Sequence, residues 1–437
     1  MRDEIDQTHD PALRSWVDTA NKPGADFPVQ NLPFGVFRSR TSAEPRIGVA
    51  IGDQILDLRQ SADGGLLEEL PSSVVAATRA QSLNVLMALG HPATSTLRRR
   101  LSQILTAEDS AAGRALVPLT DVEMSVPSLV GNYTDFYASL SHATNVGRLF
   151  RPDDPLLPNF KYVPIAYHGR SSSIVISGET VRRPAGQVKT ADERPAYRPS
   201  QRLDYEAEIG CFVGSGNQLG RPIPIDHAEE HIFGLCVVND WSARDIQAWE
   251  YQPLGPFLSK SFATTVSPWV VTYEALAPFR CPAFERPQDD PAPLDHLFSP
   301  ATQAQGAFDI TLEVSLRSEA MRRRGLAPMV MSRSSFRDMY WTIAQMLTHH
   351  TSNGCNLMPG DLLASGTLSG PAKGAQGCLL EITEGGRVPL QLPGGETRTF
   401  LADGDEVVMR AFCERPGFVR IGFGECRGLI GAAKFQD

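Results

Sequence analysis

No Cys-x-x-Cys pair occurs among the seven cysteines, at positions 211, 236, 281, 355, 378, 413 and 426. An odd number of thiols in a chain of 437 residues does not read as a disulfide framework. Buried free thiols in a reducing compartment are expected instead, and with them a cytoplasmic location. There is no Gly-x-Ser-x-Gly elbow and no Walker sequence, so serine-hydrolase and P-loop chemistry lose their usual support. No uninterrupted apolar run approaches the ~20 residues of a membrane span. The start, Met1-Arg2-Asp3-Glu4-Ile5-Asp6, is acidic and carries no apolar stretch of the kind that marks a secretory signal. Basic charge is in deficit, with 41 Lys and Arg against 50 Asp and Glu, a net charge of −9. That balance argues against general nucleic-acid affinity and against a polybasic membrane surface, so an anionic ligand would need a local basic site.

What is present is the composition of a globular protein, 42% hydrophobic and 21% charged, long enough for one large or two ordinary domains. A polar lead occupies residues 1–25. Gly35 to Phe37 and Ile47 to Leu58 then read as short strands, with Gly52-Asp53 as a hairpin turn. Leu66, Leu67, Leu70, Leu83, Val85, Leu86, Leu89, Leu97, Leu101 and Ile104 recur at near-helical spacing, interrupted by Pro71 and Pro92. This module, 26–126, carries no clustered ionisable groups and is not expected to be catalytic.

From 127 to 437 short apolar runs are divided by Gly, Pro and Asn. Ile174 to Ile176, Ile209 to Val213, Leu235 to Val238, Trp269 to Thr272, Phe308 to Leu316, Leu379 to Ile382, Glu406 to Ala411 and Val419 to Gly424 all read as strands. One helix is expected from Ser335, with Phe336, Met339, Ile343, Met346 and Leu347 at helical spacing. The stretch Pro278 to Pro300, rich in Pro and Asp, is expected as a surface loop. The chain is therefore expected to be mainly β, of α+β class.

Three motifs fail on inspection. Gly214-Ser215-Gly216-Asn217-Gln218-Leu219-Gly220 has one residue too many for a dinucleotide fingerprint and leads into Arg221-Pro222, so it reads as a turn. His227-Ala228-Glu229-Glu230-His231 matches an inverted zincin pattern, but zinc needs a third protein ligand that nothing nominates. His349-His350 near a helix end reads as a cap or core pair.

The informative strings lie elsewhere. In Leu203-Asp204-Tyr205-Glu206-Ala207-Glu208-Ile209, alternation along a strand puts Glu206 and Glu208 on one face. Two solvated side chains on a polar strand face are the ordinary reading. Buried together, they would need a hard divalent cation or force one carboxyl to stay protonated. Asp135, Tyr137 and His142 fall within eight residues, followed by Arg151. Arg244 and Gln247 share a helical face, and Lys260 stands among apolar and turn residues in Gly255-Pro256-Phe257-Leu258-Ser259-Lys260-Ser261-Phe262. A buried lysine needs a partner or a lowered pKa, which makes it a site candidate. A surface ion pair, a capping Asp or a snorkelling Lys would be the unremarkable alternatives.

Taken together and in order, these strings resemble the fumarylacetoacetate hydrolase family. The strings that carry the likeness are Tyr133-Thr134-Asp135-Phe136-Tyr137, His142-Ala143-Thr144-Asn145-Val146-Gly147, Tyr167-His168-Gly169-Arg170, Asn239-Asp240-Trp241-Ser242-Ala243-Arg244-Asp245-Ile246-Gln247, Pro253-Leu254-Gly255-Pro256-Phe257-Leu258 and Ala364-Ser365-Gly366-Thr367. The resemblance runs from Asp26 to Gly424. It implies a small N-terminal SH3-like β-barrel, a C-terminal β-roll domain over 127–437, and a homodimer. It also implies hydrolysis of the carbon–carbon bond of 4-fumarylacetoacetate, a dicarboxylate, to fumarate and acetoacetate, the last step of tyrosine and phenylalanine breakdown.

Carried over by position, the resemblance assigns metal ligands to Asp135, Glu206, Glu208 and Asp240, for Mg²⁺ or Ca²⁺. It assigns the general base to His142 and the carboxylate that orients it to Glu381. Arg244, Gln247 and Lys260 fall on the group around the developing negative charge. Tyr137, Arg151, Tyr167, Gln247, Tyr251 and Thr367 fall on residues that hold substrate. The same superfamily scaffold also supports acylpyruvate hydrolysis, decarboxylation and hydratase chemistry, or a metal-binding homologue without catalysis. The long N-terminal module and the His142 and Glu381 pair favour fumarylacetoacetate hydrolysis, and no matched ligand or base is missing.

Overall fold

The computed structural model of the chain describes residues 5–40, 42–107, 110–190, 192 and 194–434. The extreme acidic start, Met1 to Glu4, lies outside the described residues. The rest of the polar lead packs against the helix His91–Thr106 of the N-terminal module. Trp16 Nε1 donates to Ile104 O at 3.0 Å, and the buried Arg98 donates from Nε to Thr8 Oγ1 at 3.1 Å.

The N-terminal strands form a five-stranded antiparallel sheet in the order Leu116–Pro118, Gln54–Asp57, Ser42–Ile51, Phe34–Ser39, Val122–Ser125. The expected hairpin sits where Gly52 takes φ +57°, the left-handed region a two-residue turn requires. No ladder joins the first and last strands of this order among the described residues. The leucine-rich stretch becomes several helices, Leu58–Asp63, Ser72–Thr78, Asn84–Ala88 and His91–Thr106. The two prolines open helices here. Pro71 is an N-cap, and Pro92 stands in the first turn, where its missing N–H costs nothing.

The larger part is mainly β, as expected. An eight-stranded mixed sheet runs Ala166–Gly169, Tyr133–Phe136, Leu362–Ala364, Ala207–Val213, Ile232–Asp240, Thr264–Val266, Ile174–Ile176, with Val271–Thr272 also paired to Ile232–Asp240. Every residue of Ala207–Val213 and Ile232–Asp240 is buried, because the sheet is covered on both faces. Phe212, Cys236 and Val238 pack into the core shared with the N-terminal helices. Ile209, Cys211, Leu235 and Val237, pointing the other way, join the core built with the second large sheet. That second sheet runs Met329–Ser335, Thr311–Arg317, Glu406–Cys413, Ile421–Gly431, Thr180–Arg182. Trp241, fully buried, anchors the space between the sheets, with Nε1 donating to Thr265 Oγ1 at 2.8 Å.

Two expectations are corrected. Leu379–Ile382 is a short helix and not a strand. Four residues, Leu379-Leu380-Glu381-Ile382, are too few to show a period, and a carboxylate distant in sequence, Asp204, receives the N–H groups of Leu379 and Leu380 at 2.8 and 2.9 Å. The helix expected from Ser335 is a single 3-10 turn, Phe336–Asp338, and the α-helix starts at Ile343. Thr342 and Gln345 form the capping box that sets its start.

Candidate active site

The order of the eight-stranded sheet gathers the carboxylates. Asp135 pairs with Ala364 across a parallel ladder, Gly210 pairs with Ala364 on its other side, and Ala207 pairs with Asn239. Asp135, Glu208 and Asp240 therefore stand at the same end of the sheet, the first two separated by the strand Leu362–Ala364 and the last two on neighbouring strands, and Glu206 lies just before the strand Ala207–Val213. Oxygen atoms of these four side chains all lie within 4.8 Å of one another. Glu206 is 5% exposed and Glu208 0%, which overturns the reading of a solvated strand face.

Such a concentration of buried negative charge has identifiable cations. Lys260 Nζ contacts Glu206 Oε2 and lies 2.6 Å from Asp240 Oδ2. Arg244 Nη1 lies 2.7 Å from Glu206 Oε1. Lys260 is delivered by a turn whose Phe257, Leu258 and Ser259 N–H groups all donate to the Glu250 carboxylate, at 2.9, 3.1 and 2.8 Å. Burial acts to raise the Glu206 carboxyl, but Lys260, Arg244 and His142 outweigh it and hold the group well below the usual range. The opposite holds for its neighbours. Burial, then the charges of Asp240 and Glu206, push Asp135 well above its ordinary value, and burial with Asp135 and Asp240 does the same to Glu208. Lys260, lowered by burial, is raised overall by Asp240 and Glu206 and stays charged.

Two oxygens in the cluster, Asp135 Oδ1 and Glu208 Oε1, are buried without a hydrogen-bond partner among the described residues. Orphaned buried acceptors among four convergent carboxylates fit a divalent cation, and an all-oxygen donor set suits Mg²⁺ or Ca²⁺ better than zinc. Several contacts fix the remaining oxygens. Tyr167 Oη and Thr264 Oγ1 donate to Asp240 at 2.9 and 3.1 Å, and the Gly366 N–H donates to Glu208 Oε2 at 3.2 Å. Gly366 has φ +76°, and a Cβ there would meet Phe136 O at 2.1 Å, so only glycine lets the backbone approach this close.

His142 stands beside the cluster. It rides the first turn of the Leu140–Phe150 helix, whose N-cap Ser139 accepts from its N–H at 3.2 Å. Nδ1 is 2.7 Å from Glu381 Oε2, and Nε2 lies 4.0 Å from Glu206 Oε1. A carboxylate can only accept, so Nδ1 carries the proton in the neutral ring and Nε2 faces the cluster. Glu381 is itself surrounded by donors: Ser369 Oγ at 2.7 Å, Asn145 Nδ2 at 2.9 Å and Cys378 Sγ at 3.2 Å. Burial works to raise its carboxyl, but His142 and the hydrogen bonds from His142, Asn145 and Ser369 bring it below the usual range.

Of the other residues named from sequence, Tyr137 sets its ring edge-on to His142 with centroids 5.4 Å apart. Gln247 accepts from Arg244 Nη1 at 3.1 Å. Thr367 Oγ1 is buried without a hydrogen-bond partner among the described residues. Arg151 and Tyr251 are exposed, and neither side chain is hydrogen-bonded to the cluster among the described residues. His227 and His231 do not converge, since His227 pairs with Glu230 at 3.1 Å and His231 bonds Ser215 O at 2.6 Å. His350 Nε2 sits 2.8 Å from Thr134 Oγ1.

Asn145, Ser369, Thr264 and Asp204 complete the site and were not singled out from sequence. Asn145 could have been, because it lies three residues beyond His142 on one helix face. Ser369, Thr264 and Asp204 reach their partners only through tertiary folding.

The fold and the site thus define a mainly β protein with a buried cluster of four carboxylates, a candidate cation site, next to a histidine–glutamate pair. The chain belongs to the fumarylacetoacetate hydrolase family. The description "Fumarylacetoacetate (FAA) hydrolase C-terminal" matches residues 132–430, and "Fumarylacetoacetase N-terminal" matches residues 30–127. Similar curated proteins include the fumarylacetoacetases of Oryza sativa subsp. japonica, 48% identical over 96% of this chain and 97% of that one, and of Homo sapiens, 47% identical over 93% and 96%. That of Caenorhabditis elegans is 49% identical over 96% and 99%. Among solved structures, a fumarylacetoacetate hydrolase from psychrophilic Exiguobacterium antarcticum superposes with a TM-score of 0.52 at 19% identity, covering 92% of this chain and 99% of that chain, which bears on the fold alone.

Proposed function

We propose that this chain is a fumarylacetoacetase, hydrolysing the carbon–carbon bond of 4-fumarylacetoacetate to fumarate and acetoacetate in tyrosine and phenylalanine catabolism. The observation that carries the reading is the His142 pair with Glu381 at 2.7 Å, set with its free Nε2 toward four buried carboxylates. The near-complete match to fumarylacetoacetases in several organisms supports it.

Cleavage of a β-diketone by water needs a nucleophile, a stabilised oxyanion and a leaving carbanion held as an enolate. His142 Nε2 takes a proton from water as the water oxygen bonds to the carbonyl carbon on the fumaryl side. Glu381 holds the ring's tautomer and offsets the imidazolium charge that forms. When the tetrahedral centre collapses, the bond to the methylene carbon breaks and its electron pair leaves with the acetoacetate half as an enolate. The imidazolium returns its proton to that carbon, which restores His142 and completes acetoacetate, while the fumaryl half keeps the water oxygen in a new carboxyl group that loses the second water proton to solvent and becomes the carboxylate. Arg244, Gln247 and Lys260 provide fixed charge and donors for the developing anion, with no reorganisation at the moment of reaction. A Mg²⁺ or Ca²⁺ held by Asp135, Glu206, Glu208 and Asp240 supplies Lewis-acid stabilisation of the enolate when bound.

Tyr137, Tyr167 and Thr367 are proposed to position substrate, supported by the edge-on contact to His142, the bond to Asp240 and the unpartnered hydroxyl. Arg151 and Tyr251 are proposed for its carboxylate and carbonyl groups on the family resemblance. Domain limits at 26–126 and 127–437, an SH3-like N-terminal barrel, a C-terminal β-roll and a homodimer are proposed on the same ground. A cytoplasmic location is supported by free cysteines throughout and by the absence, among the described residues, of a helix long and apolar enough to cross a membrane. The test is loss of the ultraviolet absorbance of fumarylacetoacetate on incubation with the purified chain. No loss above the uncatalysed rate refutes the proposal.

A further inference from the structure

Asp204 is fully buried, two residues before Glu206, and belongs to neither the carboxylate cluster nor the histidine pair. Its two oxygens nevertheless touch both halves of the machinery. Oδ1 accepts from the N–H of Leu379 at 2.8 Å and of Tyr205 at 2.9 Å. Oδ2 accepts from the N–H of Leu380 at 2.9 Å and from Arg244 Nε at 3.0 Å. Leu379 and Leu380 open the four-residue helix that carries Glu381. The N-cap of that helix, Cys378, caps nothing with its side chain, so the orphan N–H groups of the first turn depend on Asp204. On the other side, Arg244 has Nε fixed by Asp204 and Nη1 fixed by Glu206 and Gln247, while Nη2 is buried with no hydrogen-bond partner among the described residues. A guanidinium is planar, so holding Nε and Nη1 also fixes the direction in which Nη2 presents its N–H bonds.

We propose that Asp204 is a positioning residue that locks the Glu381 helix and the Arg244 guanidinium into one unit, setting the His142–Glu381 pair and the unpartnered Nη2 of Arg244 in register across the site. The inference rests on the reaction proposed above, and it adds a residue that touches neither substrate nor metal. A carboxylate is needed because all four of its contacts are donors. An amide in its place keeps one acceptor oxygen and turns an NH₂ either against the N–H groups of Leu379 and Tyr205 or against that of Leu380 and Arg244 Nε.

The test is Asp204→Asn in the full-length, metal-loaded chain, read in two ways. Without substrate, the downfield ring N–H proton resonance of His142, bonded to Glu381, is followed by NMR in wild type and variant. The variant is expected to shift or broaden it, because the Glu381 helix is no longer held from outside. With fumarylacetoacetate, kcat is expected to fall by about 10–10²-fold while KM stays within about threefold, the pattern of lost orientation and not of lost binding. In a cycle with Glu381→Gln the two losses should combine to much less than their product, because both act through one pair. An unmoved resonance, a kcat within about threefold of wild type, or losses that multiply fully would each overturn the role. Should Asp204→Asn fail to accumulate folded, Asp204→Glu, which keeps the charge but displaces the oxygens, is read by the same criteria. A wild-type chain that leaves fumarylacetoacetate intact refutes the proposed reaction, while the resonance still decides the role of Asp204.

Discussion

Replacing Glu381 by Gln isolates one charge in the centre of the site. The Oε2 position receives three donors, from His142, Ser369 and Cys378, so the Gln amide oxygen belongs there. Its NH₂ then faces Asn145, whose own amide can turn to accept. The imidazole thus keeps its orientation and tautomer, and what is lost is the negative charge 2.7 Å from Nδ1 when the ring becomes cationic. A hydrogen bond to a charged group contributes a net ~1.5–3 kcal/mol, which converts to roughly 10–150-fold in rate. Lys260 and Arg244 remain paired with Glu206 in the variant, so metal binding should be unchanged. Initial rates at saturating fumarylacetoacetate give kcat, and calorimetry with Mg²⁺ gives occupancy. A kcat within about threefold of wild type, at equal occupancy, would refute the charge-stabilising role of Glu381.

Glu208→Ala should weaken divalent-cation affinity, because it removes a proposed ligand whose Oε1 is buried and orphaned among the described residues, and unchanged occupancy by calorimetry would contradict the proposed ligand set. In the wild type, cation at a hundred times its Kd should stabilise by about 2.7 kcal/mol, raising the Tm by about 3 °C, and chelator should reverse the rise. The Glu381 carboxyl is held below the usual range by His142 and its hydrogen-bond donors, against the upward push of burial. Its stabilisation is therefore full above the unfolded carboxyl value near ~4.3 and is lost as pH falls through the lower folded value. Urea midpoints of wild type and Glu381→Gln should accordingly converge as pH drops below that value, and a constant gap would count against the pairing. Gly428→Ala would place a Cβ 2.3 Å from Trp241 Cζ2 in a fully buried setting, at an overpacking cost of about 1–3 kcal/mol measurable by urea denaturation. An unchanged midpoint would mean that Trp241 is looser than its contacts imply.

How much was legible depended on whether the deciding contact was local. The central strands announce themselves as apolar runs, because a sheet covered on both faces leaves no polar side to interrupt them. The hairpin at Gly52 and Asp53 reads directly from its turn residues. Leu379–Ile382 could not be read correctly in isolation, since the N–H groups that make it a helix are satisfied by Asp204. The same limit applied to Glu206 and Glu208. Alternation placed them on one face, but only the sheet order that brings in Asp135 and Asp240 settled whether that face met water or two buried carboxylates. The long spacing between His142 and Glu381 hides their contact from any local pattern, and it was the family resemblance that joined them.

The central claim is that the histidine pair does the proton work beside a carboxylate-held cation. The most direct measurement is the rate of fumarylacetoacetate hydrolysis by wild type and His142→Ala at equal, verified metal occupancy. Turnover in the wild type, lost on chelation, with a fall of at least ~10²-fold in the variant, is the expected result. Near-normal turnover by the variant, or turnover in the wild type indifferent to chelator, would contradict the account.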